Sequence, residues 1–179
     1  MKRNILLFFV FLILNQTTIK AQYVRVYYDD YFILRIVSTP GYLFQTVYPK
    51  GNTFEIKNID FYNFIKDKIN SLEIDNTYKG YIHTQIQVVI MDKSGRYDIL
   101  NLVHNYCKIK PNPYVSMELN GKQVTFDLEL QLVIDKLVNH HINNKGNNID
   151  EAVIDSILAN PKEYKYYDIF EQLLPKPRE

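Results

Sequence analysis

The chain has 179 residues, with 21 basic and 20 acidic side chains, so its formal net charge is +1 at neutral pH. A near-neutral chain without a long run of like charges lacks the electrostatic footprint of a nucleic-acid-binding protein and the polybasic cluster of a protein drawn to anionic membranes. A single cysteine, Cys107, excludes a scaffold held by internal disulfides. The fold must therefore be stabilised by its hydrophobic core.

The first 21 residues have the pattern of a secretory signal peptide. Two basic residues precede an apolar run over residues 5–14, which is shorter than a membrane span, and a polar stretch leads to the small residue Ala21. We expect cleavage before Gln22, export to the periplasm or the extracellular space, and no stable membrane span after cleavage. The alternative is that residues 1–21 stay attached as an anchor.

The remaining sequence predicts one α+β core domain over residues 22–142 and a helical C-terminal extension over residues 143–179 that packs on or near it. Short apolar and β-branched runs between turn residues predict a meander at the start of the domain. The predicted strands are Tyr23–Tyr28, Tyr31–Val37, Tyr42–Tyr48 and Thr53–Lys57.

The hydrophobic period changes at residue 60. Apolar side chains from Phe61 to Leu72 recur on one helical face, which predicts a helix over residues 60–72. Asp60 is the predicted N-cap, and Ile59 is placed to pack on Phe64. This central helix is the natural cover for one face of a sheet.

Two hairpins follow the helix. Alternating residues predict a strand over 81–92, a turn at Asp92–Gly95 and a return strand over 97–103. Asn120-Gly121 predicts a type I′ turn, which places Met117 opposite Val124 on the next ribbon.

The second strand of this ribbon predicts a polar face, whose residues are Thr125, Asp127, Glu129 and Gln131. Residues from Leu130 onward also fit a helical period, so we expect a switch from strand to helix within 129–135. Further helices are predicted over 149–160, capped by Asn148, and over 162–174. Segregated strands and helices indicate an α+β fold with an antiparallel sheet.

The sequence contains no recognisable catalytic motif. Its histidines, which we interpret as solvated or capping groups, have no metal-ligand spacing: His83, His104, His140 and His141. Cys107 has a histidine three residues earlier, yet it fits a half-buried apolar side chain better than a nucleophile. We therefore predict no cofactor, no metal site and no catalytic residue.

Two sets of residues remain as candidates for binding. Asp127 and Glu129 share a strand face, as paired carboxylates in a glycosidase do, but a solvated sheet face also explains them. Tyrosines of the first strands, including Tyr27 and Tyr42, form a possible stacking face for a glycan or peptide, although aromatic residues also simply favour strands. The candidate binding residues are Thr125, Asp127, Glu129, Gln131, Tyr27 and Tyr42.

The region over residues 80–134 carries a glycine before an alternating strand, an acid and a glycine at the next turn, and an Asn-Gly-Lys turn before the last strand. These features are Gly80, Ile86–Ile90, Asp92 with Gly95, and Asn120-Gly121-Lys122. In this pattern the chain resembles the C-terminal domain of TonB-type energy transducers. The resemblance implies an exported protein-binding module that pairs a sheet edge with a partner, and it implies no catalytic residue.

The leading hypothesis is an exported binding or structural module without catalysis, whose partner is another envelope or extracellular protein. The alternatives are a TonB-like envelope interaction domain and a secreted hydrolase. The hydrolase requires that His83, His104 or His141 meets Asp127 or Glu129 in one pocket.

Overall fold

The computed structural model describes residues 22–28, 52–76, 84–102 and 117–161. Within these ranges the chain forms a sheet of six antiparallel strands and three helices, which confirms the predicted α+β class. The strands are β1 (Tyr23–Tyr28), β2 (Thr53–Ile56), β3 (Ile86–Met91), β4 (Tyr97–Leu102), β5 (Met117–Leu119) and β6 (Lys122–Val124). The helices are α1 (Ile59–Ser71), α2 (Leu128–Asn143) and α3 (Glu151–Ala159).

The strand order is β2-β1-β3-β4-β5-β6, so β1 is paired with both β2 and β3. Strand β1 alternates between buried and half-buried residues because Val24, Val26 and Tyr28 face the helices. We call this helix-covered side the core face and the opposite side the outer face. Side chains on the core face pack with α1 and α2 in one hydrophobic core, to which Ile154 of α3 also belongs.

The hairpin formed by β5 and β6 has the predicted register, because Met117 pairs with Val124. Its turn residues Asn120 and Gly121 have φ values of 52° and 77°, as a type I′ turn requires. The Asn120 side chain also accepts a hydrogen bond from the backbone N–H of Ile99 at 2.9 Å. The turn therefore fixes the hairpin register and also ties β5 to β4.

Replacing Gly121 by alanine is expected to lower the free energy of unfolding by about 1 kcal/mol, because an L side chain is strained at positive φ. A Cβ atom at this position would meet no other heavy atom within 4 Å, so the expected loss of stability comes from backbone strain alone and not from steric overlap. Urea denaturation of the two proteins measures the difference. An unchanged midpoint would show that the turn does not constrain the folded chain.

Helix α1 begins earlier than the sequence predicts. Asn58, and not Asp60, is the N-cap, since its Oδ1 accepts from the N–H of Phe61 at 2.9 Å. Asp60 lies in the first turn, where its charge suits the positive end of the helix dipole. Ile59 is 51% exposed, so the predicted packing of Ile59 as an apolar staple is wrong.

The switch from strand to helix after β6 also comes earlier than the predicted window of 129–135. Strand β6 ends at Val124 and α2 begins at Leu128. The reason is Asp127, whose Oδ1 accepts from the N–H of Leu130 at 2.9 Å and so caps the helix. Leu128, the first residue of the helix, is 43% exposed.

Helix α3 begins at Glu151 after the N-cap Asp150, two residues beyond the predicted cap Asn148. It contacts both α1 and α2. The strands predicted over residues 31–37 and 42–48 and the helix predicted over 162–174 lie outside the described residues.

Candidate functional site

A short extended segment, residues 73–75, follows the end of α1 and pairs with the edge of β6 that lies opposite β5. The N–H of Asp75 donates to the carbonyl of Gln123 at 3.0 Å, and the N–H of Thr125 donates to the carbonyl of Glu73 at 2.8 Å. Ile74 lies opposite Val124 as an isolated antiparallel bridge. We call residues 73–76 and 122–125 together the β6 edge.

The hydrogen-bond pattern at the β6 edge determines which backbone groups face outward. Both bonds flank the Ile74–Val124 pair, so Ile74 directs its own N–H and C=O away from β6. The Ile74 side chain is 58% exposed. An open cleft of about 420 Å³ lies beside it, lined by Ile74, Asp75, Asn76, Lys122 and Gln123. The edge therefore combines an available donor and acceptor with an exposed apolar side chain.

Next to the β6 edge, an ion-pair cluster joins the last turn of α1 to the first turn of α2. The Lys68 ammonium lies 3.1 Å from Asp127 Oδ2 and 3.2 Å from Glu129 Oε2. Burial by itself would lower the pKa of Lys68, but its hydrogen bonds with these two carboxylates outweigh burial and raise that pKa. Each charge also suits the helix terminus on which it lies. The cluster explains both acids as structural groups.

The predicted binding residues do not form one polar face. Thr125 belongs to the β6 edge, where its hydroxyl accepts from the N–H of Glu73 at 3.1 Å, whereas Asp127 and Glu129 bind Lys68. Gln131 is fully buried in α2 and donates to the carboxylate of Asp135 at 3.0 Å. The helical conformation is the reason, because residues that alternate on a strand point in different directions on a helix.

Tyr27 lies far from this region in the topology. It is a half-buried residue of β1 on the outer face, paired with Thr53 and Gln87. Tyr42 lies outside the described residues. The two candidate sets therefore lie on different parts of the sheet, with Tyr27 on β1 and the acids at the start of α2.

The one described histidine that the hydrolase hypothesis invokes does not meet either acid. His141 lies fourteen residues after Asp127 along α2, which is about 20 Å at 1.5 Å per residue. Its Nδ1 lies 2.8 Å from Tyr28 Oη, and its ring contacts Phe54. His83, His104 and Cys107 lie outside the described residues. Within the described ranges, no three His, Cys, Asp or Glu side chains are grouped as metal ligands.

His141 also corrects the interpretation of the histidines as solvated or capping groups, since it is only 2% exposed. His141 lies on the same stripe of α2 as Leu130, Ile134 and Leu137, and this stripe faces the hydrophobic core. His140 is half-buried in the last turn of α2, where its Nε2 lies 2.6 Å from Asn144 Nδ2.

Comparison of the chain with protein-family models, with curated proteins and with solved structures finds no match. The resemblance of residues 80–134 to the TonB C-terminal domain therefore stays a prediction. Among the helices of the described ranges, none has the length and apolar character needed to cross a bilayer.

Ile74 is the residue of this site that sequence reasoning missed. The signal for it is short: Ile74 stands between Glu73 and Asp75, an alternation of one apolar and two acidic residues directly after a helix. One such residue is too little to predict a strand. Only the pairing with β6 shows that it occupies the edge of a sheet.

Proposed function

We propose that the chain is an exported protein-binding module that takes an extended peptide segment of a partner onto the β6 edge. The observation that carries this proposal is Ile74, whose backbone donor and acceptor point outward beside an exposed apolar side chain. An extended peptide adds to such an edge through main-chain hydrogen bonds, and pockets for alternate side chains supply specificity.

The chemistry of the edge defines the segment that fits. One apolar residue of the peptide packs against Ile74, and a polar neighbour reaches the cleft between Asp75 and Lys122. Because the described pairing of this segment with β6 is a single bridge, Ile74 to Val124, the contact is short and the complex is weak and transient. Export to the periplasm or the extracellular space is part of the proposal, and it rests on the signal-peptide pattern of residues 1–21.

Replacing Ile74 by proline is expected to weaken peptide binding at least tenfold, because proline removes the outward N–H and the isoleucine side chain. The probe is a heptapeptide selected from a random display library against the native protein. Isotope-edited NMR of the complex with the native protein measures the amide shift and the hydrogen exchange of Ile74. We expect this amide to become protected when the peptide binds.

Ile74→Thr is the matched control, since it keeps the backbone donor and the β-branched shape while reducing apolar contact. Its affinity should lie between those of the native protein and Ile74→Pro. If the selected peptides leave the Ile74 amide unchanged and bind Ile74→Pro with native affinity, the β6 edge is not the binding site.

A further inference from the structure

The end of the sheet that carries the turn between β3 and β4 gathers aromatic and basic side chains from separate parts of the chain. We call it the turn end and define it by Tyr23, Lys57, Met91, Lys93, Arg96 and Tyr97. Tyr23 pairs with Met91, and Met91 pairs with Tyr97, so the three form one row across the outer face. Tyr97 is 59% exposed, the largest exposure among the large hydrophobic side chains of the described ranges.

The cations at the turn end are accessible to an external partner. Lys93 and Arg96 are exposed in the β3–β4 turn and make no ion pair within the described ranges. Lys57 follows β2, and its side chain is 70% exposed although its ammonium lies 3.4 Å from Glu55. The turn end therefore presents positive charge beside an aromatic row.

The neighbouring acids are largely engaged elsewhere. The carboxylate of Asp92 accepts from the backbone N–H groups of Ser94 and Arg96 and is used within the turn. Glu55 accepts from Arg25, and Asp98 binds Lys66 of α1. Asp60 is exposed, but it belongs to the first turn of α1, in the helix layer. The Asp92 carboxylate keeps its negative charge, so the turn end carries a net charge of about +2, from Lys57, Lys93 and Arg96 against Asp92.

The short distance along the chain between the N-terminal apolar run and β1 favours one class of partner. Eight residues separate the apolar run of residues 5–14 from β1, which begins at Tyr23 within the turn end. Eight residues span about 28 Å at most, so an apolar run held in the export membrane would keep the start of β1 within about that distance of it during export. Tyrosine rings and basic side chains are the groups that favour the interface between lipid and water.

We propose that the turn end is a docking surface for an anionic lipid bilayer. The contact is peripheral: Tyr97 and Met91 meet the headgroup region while Lys57, Lys93 and Arg96 attract the lipid charge. This surface is separate from the β6 edge, so the two proposals fail independently.

The chain has no tryptophan, so Tyr97→Trp provides a single fluorescent reporter at the turn end. The experiment adds phosphatidylcholine vesicles, with or without phosphatidylglycerol, to the exported protein. We expect a blue shift of emission and protection from an aqueous quencher only with the anionic vesicles. Ile74→Trp places the matched reporter on the β6 edge, and it should show neither change.

Charge reversal tests the basic residues. Lys93→Glu is expected to lower partition onto the anionic vesicles at least about fivefold, because each basic residue near such a surface contributes about 1 kcal/mol and the added acid is repelled. Lys145→Glu makes the same change in net charge after α2, beyond His141 and Tyr28 at the opposite end of β1, and should leave partition nearly unchanged. Equal losses for the two variants, equal shifts at the two reporters, or no shift with anionic vesicles would each overturn the proposal.

Discussion

Replacing His141 by alanine is expected to lower the free energy of unfolding by about 3 kcal/mol, the largest effect among the substitutions considered. The side chain is 2% exposed and lies between two aromatic rings. Its ring centroid is 4.8 Å from that of Phe54 and 5.7 Å from that of Tyr28, with an edge-on geometry for the second pair. Alanine therefore leaves a cavity and removes the hydrogen bond between His141 Nδ1 and Tyr28 Oη.

The same residue makes stability depend on pH. Burial lowers the pKa of His141 most; a hydrogen bond with the Gly146 backbone raises it by less, and the neighbouring His140 lowers it by a smaller amount still. His141 therefore binds a proton at a lower pH in the folded state than in the unfolded state, where the pKa of histidine is about 6.5. The contribution of neutral His141 to the free energy of unfolding is fully present above that pH. It decreases as the pH falls through and below that value.

Urea denaturation at pH 7.5 and pH 5 measures this effect as the difference between the native protein and His141→Ala. The destabilisation caused by the substitution should be smaller at pH 5. Tyr28→Phe is the control, since it removes only the hydroxyl: it should cost about 1 kcal/mol and keep the pH dependence. If His141→Ala costs the same at both pH values, His141 does not titrate differently in the folded and unfolded states.

Replacing Asp127 by alanine is expected to lower the free energy of unfolding by about 1.5 kcal/mol. The carboxylate has two structural roles, because Oδ1 accepts from the Leu130 N–H at 2.9 Å and Oδ2 lies 3.1 Å from the Lys68 ammonium. Loss of the cap accounts for about 1 kcal/mol, and loss of the ion pair adds a smaller amount. Thermal or urea unfolding provides the measurement.

Asp127→Asn separates the two roles of this residue. Asparagine still caps the helix but carries no charge, so it should cost less than about 1 kcal/mol. High salt should reduce the cost of Asp127→Asn, since it screens the Lys68 ion pair, and should leave the capping contribution unchanged. Equal costs for the two variants would show that the cap contributes nothing.

Much of the fold follows from local patterns in the sequence. The α+β class follows from strands and helices that occur in separate blocks. Asn120-Gly121 determines the hairpin register because few residues adopt two successive positive φ values. Likewise Ile86, Val88 and Ile90 of the predicted strand over residues 81–92 are buried on one face, since the side-chain period of a strand is two, and Gln87 is the residue of the other face that is also buried.

The prediction of a polar strand face failed where two local patterns compete. The predicted strand continues into residues that also fit a helical period from Leu130 onward, and the point at which the helix begins depends on whether Asp127 caps it. That point also depends on Lys68, a residue fifty-nine positions earlier in the chain. A polar strand face was therefore predicted where the chain forms a capped helix, because the partner that stabilises the helix terminus is distant in sequence.

The sequence by itself determined the strand periodicity, the type I′ turn and the apolar stripe of the central helix, because each depends on residues a few positions apart. Only the tertiary structure decided which groups meet across the fold. It buried His141 against Tyr28, 113 positions away, and placed Ile74 on the edge of β6. It also gathered Lys57, Lys93 and Arg96 at one end of a sheet, where a linear count of charge finds no basic cluster. Such contacts join residues distant along the chain, so their energies depend on three-dimensional packing and not on local sequence.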